Sequence, residues 1–360
     1  MPVQNVFLGK TINRSPLKLM MGDRPVADQA KPVTVNFEDD QKALLDLSNP
    51  LAANWAKMID YLQKNNRPVY LETDAGTGII TRLCAPEAAR VWEIDTTNKE
   101  FVYVSFHTSD ALHFLSRDHP GFQTILDALQ AAMDKSSVIL VTSTYHDFEI
   151  IDVRSLPSSF GNEEPPGSLP SPETPTIPAP SKTVSLDRAT ELLNMIIKKS
   201  CTPCVSTASC IPFRWPSNGC WIRAHLMCYL LISKGAMPEK IWSDGKKLRG
   251  RSTNVPGCIV KWTWHVAATL MVMQGDGVPV KMVIDPSLSY ELLTPEKWRS
   301  LQTDPDATLK FSSWEQYEHY SGTADQAMAD NDMEKFRIDL DQLCKEFGPS
   351  PYKCPEIGPV

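Results

Sequence analysis

The 360-residue sequence predicts an α+β protein with two folded units. In the second unit, a turn-rich segment leads into an apolar helix that carries Cys220 in its first turn, and two later strands carry His265 and Asp285. The first unit alternates short β-type segments with amphipathic helices, which is typical of a small α+β or barrel-like domain. The core of the second unit is therefore expected to be a helix packed on an antiparallel sheet.

The boundary between the two units follows from a change in composition. From Leu156 to Lys182 the sequence is rich in Pro, Ser, Glu and Thr, a composition that favours extended conformations over a packed core. We expect residues 154–183 to form a semi-rigid, protease-sensitive linker between domains at 1–153 and 184–360. At 42% hydrophobic residues, the chain has enough apolar material for a core on each side. The sequence shows no internal repeat.

The first domain is expected to contain two helices and several strands. Apolar residues at helical spacing predict helices over 49–65 and 121–133. The β-type segments are 69–72, 79–83, 91–94, 101–106, 138–142 and 147–153. The glycines of residues 74–78 predict a turn and not a phosphate-binding loop, because neither a Lys-Ser/Thr pair nor a helix follows them. The histidines of this domain have no metal-ligand spacing, and we find no catalytic arrangement in it.

The second domain is expected to begin with a helix over 186–197. A second helix should run from Cys220 to about Gly235, where glycine ends it. Alternation over 259–272, a Gly-Asp-Gly turn and the segment 280–286 predict a β-hairpin. A short helix over 293–301 with Thr294 as its cap and a final helix over 324–347 complete the pattern.

Cys220 is a candidate nucleophile because of its place on the helix. Asn218 is expected to be the N-cap, so that the thiol lies beside unpaired N–H groups and the positive end of the helix dipole. Both stabilise the thiolate, which is the reactive form of cysteine. The alternative is a buried structural cysteine or one half of a disulfide. A base and an orienting acid elsewhere in the sequence are needed to choose between them.

The predicted hairpin supplies both groups. If it folds about Asp276, then Asp285 lies opposite Ala267, one same-face step from His265, within reach of the imidazole. Strand parity places Trp262 and Trp264 on the opposite face, where we expect them to belong to the core. His225 follows Cys220 by five residues on the helix, a separation that turns it away, and it is expected to be structural.

Three segments resemble those of the bacterial protein-glutaminase family: CIPFRWPSNGCWIRAH at 210–225, WTWHVA at 262–267 and IDPSL at 284–288. The resemblance covers about residues 186–288, and the order of cysteine, histidine and aspartate is that of papain-like and transglutaminase-like enzymes. It implies a Cys220–His265–Asp285 triad that hydrolyses protein-bound glutamine to glutamate and ammonia through a thioester. The Cys220 N–H is the expected first oxyanion donor, with Ser217 and Asn218 as candidates for further support. No cofactor or metal is implied.

Several other functions are compatible with the same residues. A transglutaminase would transfer the acyl group to lysine, and a cysteine peptidase would cleave the main chain. A deamidating toxin or effector would act on a host protein. The least favoured alternative is a non-enzymatic, disulfide-rich binding protein. In the glutaminase interpretation, the partner is a protein or peptide with an exposed glutamine, and the N-terminal domain is a candidate inhibitory region that covers the active site, or else a docking domain.

Charge and cysteine content bear on partners and location. A net charge of −7 and a pI near 5.6 argue against a nucleic-acid partner, and no apolar run reaches membrane-spanning length. All cysteines except Cys84 follow the linker, a density typical of disulfide-bonded proteins. The candidates for disulfides are Cys201, Cys204, Cys210, Cys258, Cys344 and Cys354. The family resemblance favours secretion, whereas the N-terminus lacks the pattern of a signal peptide, so the location stays open.

Overall fold

The structure is a computed structural model that describes residues 4–13, 17, 31–156, 181–202, 210–254, 259–319, 321–324 and 326–347. Most of the predicted linker, together with Cys204, Cys258 and Cys354, lies outside these residues. The described part consists of helices packed on largely antiparallel sheets, so the predicted α+β class is confirmed. None of the helices in this part is long and apolar enough to cross a membrane.

Seventeen strands and six helices are described. Before the linker, the elements are β1 (Gln4–Gly9), β2 (Val33–Asn36), β3 (Lys42–Leu45), α1 (Ala52–Lys64), β4 (Val69–Asp74), β5 (Ile80–Cys84), β6 (Glu87–Asp95), β7 (Phe101–Phe106), β8 (Ser109–Ser116), α2 (Phe122–Asp134), β9 (Val138–Ser143) and β10 (Ile150–Ser155). After it, they are β11 (Val184–Ser185), α3 (Leu186–Ile197), α4 (Cys220–Ser233), β12 (Glu239–Arg251), β13 (Ile259–Met273), β14 (Pro279–Ile284), α5 (Pro295–Ser300), β15 (Thr308–Ser313), β16 (Gln316–Glu318), β17 (Ser321–Thr323) and α6 (Gln326–Phe347).

The predicted helices are confirmed, but nine of the described strands were not predicted: β1, β2, β3, β8, β11, β12, β15, β16 and β17. Strand β12 contains many charged residues and glycines, which are poor β-formers, and it is held as a strand because it pairs with both β13 and β15. Strand β15 is extended because it pairs with β12. Strand β8 completes a hairpin with β7, and its polar residues gave no alternating pattern.

The region before the linker contains an internal repeat, so the expectation that no repeat exists is wrong. Each copy consists of a hairpin, a helix and a second hairpin: β2–β3, α1, β4–β5 and then β7–β8, α2, β9–β10. Helices α1 and α2 both have 13 residues and begin 70 positions apart. Left-handed residues follow each helix at Asn66 and Ser136, and recur at Gly78 and Phe148. Few residues are identical between the copies, so only the backbone reveals the repeat.

One sheet crosses from the first part of the chain to the second. Its strands run in the order β10-β9-β6-β7-β8-β13-β12-β15, and β14 also pairs with β13. The junction is between β8 and β13, where Ala111 is opposite Trp262. Helix α4 packs on β13, and α6 contacts both α4 and α1. The position of β8 beside β13 brings the tip of a hairpin from the second repeat to the start of α4.

Candidate active site

The first turn of α4 positions Cys220. The residue before it, Gly219, is the N-cap and has a left-handed backbone with a φ of 78°. A Cβ on Gly219 would lie 3.0 Å from the ring of Phe336, so both conformation and space favour glycine here. The prediction that Asn218 is the N-cap is therefore wrong by one residue, because the sharp turn into the helix requires the positive φ.

The hairpin register agrees with the prediction. Strands β13 and β14 pair Met273 with Pro279 and Ala268 with Ile284. One further step along this register brings Asp285 opposite Ala267, as expected for a turn centred on Asp276. His265 Nε2 and Asp285 Oδ2 lie 2.8 Å apart, and both side chains are buried. The two-residue periodicity of paired strands is sufficient to explain this contact.

Two tryptophans enclose the His265 ring. Trp262 stacks against it at 4.7 Å between centroids, and Trp298 of α5 stacks at 5.6 Å. The Trp298 indole N–H also donates to Asp285 Oδ2 at 2.9 Å. Trp298 thus fixes both members of the pair, although the sequence indicated only a packing helix at this position.

The expected orientation of Trp262 is wrong. Trp262 shares an apolar core with Ala267 and Trp298, whereas Trp264 belongs to the neighbouring core. The pairing of β12 with β13 is irregular at this point, with a shift between Asp244 and Leu248. Strict alternation therefore does not hold along β13 between Trp262 and His265. Trp264 belongs to the core, as expected.

An aspartate of the second repeat also lies in the site. Asp110, at the start of β8, accepts a hydrogen bond from the Gly219 N–H at 2.8 Å. One carboxylate oxygen of Asp110, the sulfur of Cys220 and one ring nitrogen of His265 lie within 4.8 Å of one another. Their exposed fractions are 0%, 1% and 1%, and that of Asp285 is 3%, so the site is closed. Asp110 could not be recognised from the sequence, because its hydrogen bond with Gly219 joins residues 109 positions apart.

The closed site changes the acid–base properties of its members. Burial raises the pKa of Cys220 well above its ordinary value, and the charge of Asp110 raises it further. The expectation that the helix N-terminus makes Cys220 a thiolate is therefore wrong for this arrangement, since burial and a neighbouring carboxylate favour the thiol. Burial also raises the pKa of Asp110, although the charges of Arg223 and His265 act in the opposite direction.

The pKa of Asp285 shifts in the opposite direction. Burial alone would raise its pKa, but the charge of His265 and the hydrogen bonds from His265 and Trp298 outweigh burial and lower it. Asp285 is therefore a carboxylate that can hold the imidazole in one orientation. Arg223 contributes positive charge nearby, and its guanidinium donates to the carbonyl oxygens of Trp215 and Asn218.

The suggested oxyanion supports, Ser217 and Asn218, both lie beside the helix start. The Asn218 side-chain oxygen accepts hydrogen bonds from the Ser109 hydroxyl and the Gly219 N–H. The Ser217 hydroxyl is buried and has no hydrogen-bond partner among the described residues. Their supporting role remains a prediction, as do the catalytic roles of Cys220, His265 and Asp285. The sequence did not indicate the Gly219 N–H as a donor to an anionic group.

Outside the candidate triad, the described cysteines after the linker and His225 have structural surroundings. Cys201 and Cys210 form a disulfide, and Cys344 is also disulfide-bonded, with a partner outside the described residues. Cys228 is buried as a free thiol. His225 is fully buried between Lys240 and the Ala324 carbonyl, which agrees with its expected structural role.

Comparisons with known proteins identify the domain that carries these residues. A family model described as glutaminase matches residues 189–302. The fold is similar to the crystal structure of a pro-protein-glutaminase, with a TM-score of 0.52 and 23% identity over 68% of this chain and 89% of that chain. A mutant of pro-protein-glutaminase gives a TM-score of 0.50 and 24% identity over 64% and 83%. No curated protein matches the chain.

The extent of these matches bears on both parts of the chain. The match to the pro-protein-glutaminase covers 68% of this chain, which is more than the residues after the linker can account for. The likeness of fold therefore extends into the repeats. The family match includes Cys220, His265 and Asp285. A glutaminase hydrolyses a carboxamide C–N bond, which is the enzyme class expected from the sequence. Residues 189–302 thus match a glutaminase family, and we call this segment the glutaminase domain. The predicted resemblance to the protein-glutaminase family is confirmed.

Proposed function

We propose that this chain hydrolyses the side-chain amide of glutamine residues in proteins, releasing ammonia and leaving glutamate. The observation that carries the proposal is the Cys220–His265–Asp285 cluster inside the segment that matches a glutaminase family. A thiol, an imidazole and a carboxylate in this order provide a nucleophile, a base and an orienting group. None of these steps requires a cofactor.

The reaction divides into two acyl transfers. His265 Nδ1 accepts the Cys220 proton while the sulfur attacks the carboxamide carbon. The proton then passes to the departing nitrogen, and ammonia leaves behind a thioester. His265 next activates water, which hydrolyses the thioester to a carboxylic acid and restores the thiol. Asp285, bonded to Nε2, keeps Nδ1 directed at the sulfur and stabilises the imidazolium.

Backbone N–H groups at the start of α4 would stabilise the oxyanion. The Gly219 N–H already donates to a carboxylate oxygen of Asp110, so it can donate to a negatively charged oxygen in the site. The Cys220 N–H is the second candidate, at the first position of the helix. Removing one such donor typically costs about 10²–10³-fold in kcat.

The second repeat would keep the uncleaved enzyme latent. Its strand β8 pairs with β13 at Ala111, and the neighbouring Asp110 extends towards Cys220. A substrate segment could pair with the same edge and place a glutamine side chain where Asp110 now lies. The Asp110 carboxylate would then resemble the glutamate product. Release of residues 1–153 by cleavage in the linker would uncover the site.

Ammonia release from a glutamine-containing protein such as casein, with intact-mass analysis, tests the reaction. The cleaved wild type should release ammonia and add about one dalton per event, because NH₂ is replaced by OH. Cys220→Ala should abolish both signals, whereas Cys228→Ala, a change at a buried free thiol on the same helix, should retain them. Cross-linked products would indicate a transglutaminase instead, and peptide fragments a peptidase.

Comparison of the chain before and after cleavage in the linker tests latency. We expect activity to rise by at least 10²-fold on cleavage, since the sulfur is almost completely inaccessible in the closed arrangement. The Cys201–Cys210 disulfide and the helix content should be unchanged. Equal activity before and after cleavage would contradict the inhibitory role and leave the deamidation proposal intact.

A further inference from the structure

We propose that the closed, uncleaved chain binds one Zn²⁺-like transition-metal ion through Asp110, Cys220 and His265. The site exists only where the second repeat meets the glutaminase domain, because the repeat contributes Asp110 and the domain contributes the other two ligands. The inference concerns metal binding, so it does not require the proposed reaction to be correct.

The three side chains have the donor types and spacing of a zinc site. Cysteine sulfur, histidine nitrogen and carboxylate oxygen are the ordinary ligands of Zn²⁺. Their donor atoms lie within 4.8 Å of one another, whereas donors around a tetrahedral Zn²⁺ are roughly 3.5 Å apart. Side-chain movement of roughly 1 Å would bring them to binding distance, and the fourth position could be filled by water.

Two of the donor atoms have no hydrogen-bond partner among the described residues: Asp110 Oδ2 and His265 Nδ1. Both atoms are buried, and a buried polar atom without a partner costs free energy. Each belongs to a side chain whose other polar atom is occupied, by the Gly219 N–H and by Asp285, respectively. Because the other polar atom of each side chain is occupied, these two atoms are the ones available to a metal ion beside the Cys220 sulfur.

The surroundings of His265 are those of a metal ligand. Metal-binding histidines usually direct their second ring nitrogen to a carboxylate, which fixes the ring and increases its basicity. Asp285 provides this contact at 2.8 Å, and Trp298 in turn donates to Asp285. Stacking by Trp262 and Trp298 prevents rotation of the ring. A ligand held from three sides loses little conformational entropy when it binds a metal.

The charges also favour a divalent cation. Asp110, Asp285 and an ionised Cys220 would carry three negative charges, against the single positive charge of Arg223. All four groups are buried. Zn²⁺ bound to the Cys220 thiolate would bring the charge of the cluster to zero, which removes most of the cost of burying these groups.

A metal at this position would join the two parts of the chain. It would bind the nucleophile and the base together with an aspartate of the covering hairpin, so that closure and metal binding stabilise each other. Opening of the hairpin would remove one of three protein ligands. Metal affinity should therefore report whether the chain is closed.

Binding of Zn²⁺ and Co²⁺ to the uncleaved chain, with its free thiols in the reduced form and its structural disulfides intact, tests the proposal. We expect one equivalent of Zn²⁺ after dialysis, and with Co²⁺ an intense near-ultraviolet thiolate-to-metal band. Cys220→Ser should abolish the band, and Cys228→Ser should retain it. Failure of the wild type to bind either ion stoichiometrically would overturn the proposal.

Asp110→Asn tests the ligand that the repeat contributes. The amide oxygen can still accept from the Gly219 N–H, so the hairpin should remain docked, while the anionic ligand is lost. We expect Zn²⁺ affinity to fall by at least about 10–100-fold, with no change for Asp40→Asn on the exposed tip of the first repeat. Unchanged affinity in Asp110→Asn, with the cobalt band still dependent on Cys220, would contradict this site. A circular dichroism spectrum like that of the wild type would confirm that each variant folds.

Discussion

The two repeats before the linker share one architecture, but the tips of their first hairpins lie in opposite surroundings. Residues 38–42 form the tip in the first copy and are exposed. In the second copy, Ser109, Asp110 and Ala111 are buried against the glutaminase domain. The 70-residue spacing places Asp40 at the position of Asp110, so the same residue type is solvent-exposed in one copy and completely buried in the other.

The difference shows which properties come from the repeat and which from its partner. Both copies keep the same helix length, the same left-handed positions and the same parallel bridge, at Leu44–Ile79 and Phe114–Glu149. Among the described residues, the second tip lies against β13 of the glutaminase domain, whereas the first tip contacts its own part of the chain, where the Glu38 N–H donates to the Lys10 carbonyl oxygen. The hairpin fold therefore belongs to the repeat, whereas closure of the active site arises from the few residues that contact the glutaminase domain.

The largest effect is expected from a charge at the junction. Ala111→Glu would bury an unpaired carboxylate beside Trp262, at a cost of several kcal/mol, and should release the hairpin. We expect alkylation of Cys220 by iodoacetamide to increase at least 100-fold. Gln41→Glu, at the corresponding exposed position of the first repeat, is the matched control. Equal labelling in wild type and Ala111→Glu, with the fold retained, would show that the tip does not control access.

The second repeat should make the free energy of unfolding depend on pH, through a buried histidine that the first repeat lacks. Burial lowers the pKa of His113 to about 4; the charge of Glu87 opposes this shift by a smaller amount, and the charge of Lys335 adds to it. The corresponding residue of the first copy is Ala43. Between the ordinary pKa of about 6.5 and about 4, the unfolded chain binds more protons, so stability is lost as pH falls. From pH 7 to pH 5, His113 should cost about 2 kcal/mol.

Urea unfolding at both pH values measures this loss. The two ring nitrogens of His113 are hydrogen-bonded to the hydroxyls of Ser109 and Ser143. His113 should therefore be replaced by Asn, which keeps polar atoms but does not titrate. The pH-dependent part of the unfolding free energy should shrink by about 2 kcal/mol in His113→Asn. The same slope in both proteins would exclude His113 as its source.

A smaller loss of stability is expected from substitution of Ser109, the hydrogen-bond partner of His113. The Ser109 hydroxyl bridges His113 Nε2 and the Asn218 side chain, and so connects the tip to the site. Ser109→Ala would leave buried polar atoms without this partner, at a cost of roughly 1–2 kcal/mol, and should increase Cys220 alkylation about 10-fold. Asp39→Ala in the first tip should not change it. An equal response to the two substitutions would mean that general destabilisation is responsible.

The smallest effect concerns the residue after each repeat helix. Ser136 has a φ of 50°, a conformation that costs most side chains free energy, and Ser136→Gly should stabilise the protein by about 0.5–1 kcal/mol. Asn66→Gly should gain less, because asparagine tolerates this conformation. Thermal unfolding of both variants would test the order. A larger gain at Asn66 would mean that the two helix ends are not equivalent.

Much of the site was predictable because it depends on local rules. The helix start places Cys220, and a symmetric hairpin with two-residue periodicity places His265 and Asp285 on one face. The same rule failed for Trp262, where the pairing of β12 and β13 becomes irregular. Trp298 was recognised as part of a short helix, but its contact with Asp285 depends on how that helix packs.

The contribution of the first part of the chain could not be predicted in this way. Asp110 reaches Cys220 through the pairing of distant strands, and no pattern within its own segment marks it. The repeat was missed because its copies share backbone geometry and few identities. Strand β12 was missed because its charged residues are poor β-formers, and its two neighbouring strands determine its conformation.

Helix α6 has a consequence for the order of folding during synthesis. Its Ile338 side chain belongs to the apolar core built by β2, β3, α1 and β4, and Lys345 donates to Asn54 of α1. Ribosomes deliver the N-terminal residues first, so this core lacks one of its components until α6 has emerged. The first repeat can begin to fold early but can be completed only after α6 has been synthesised.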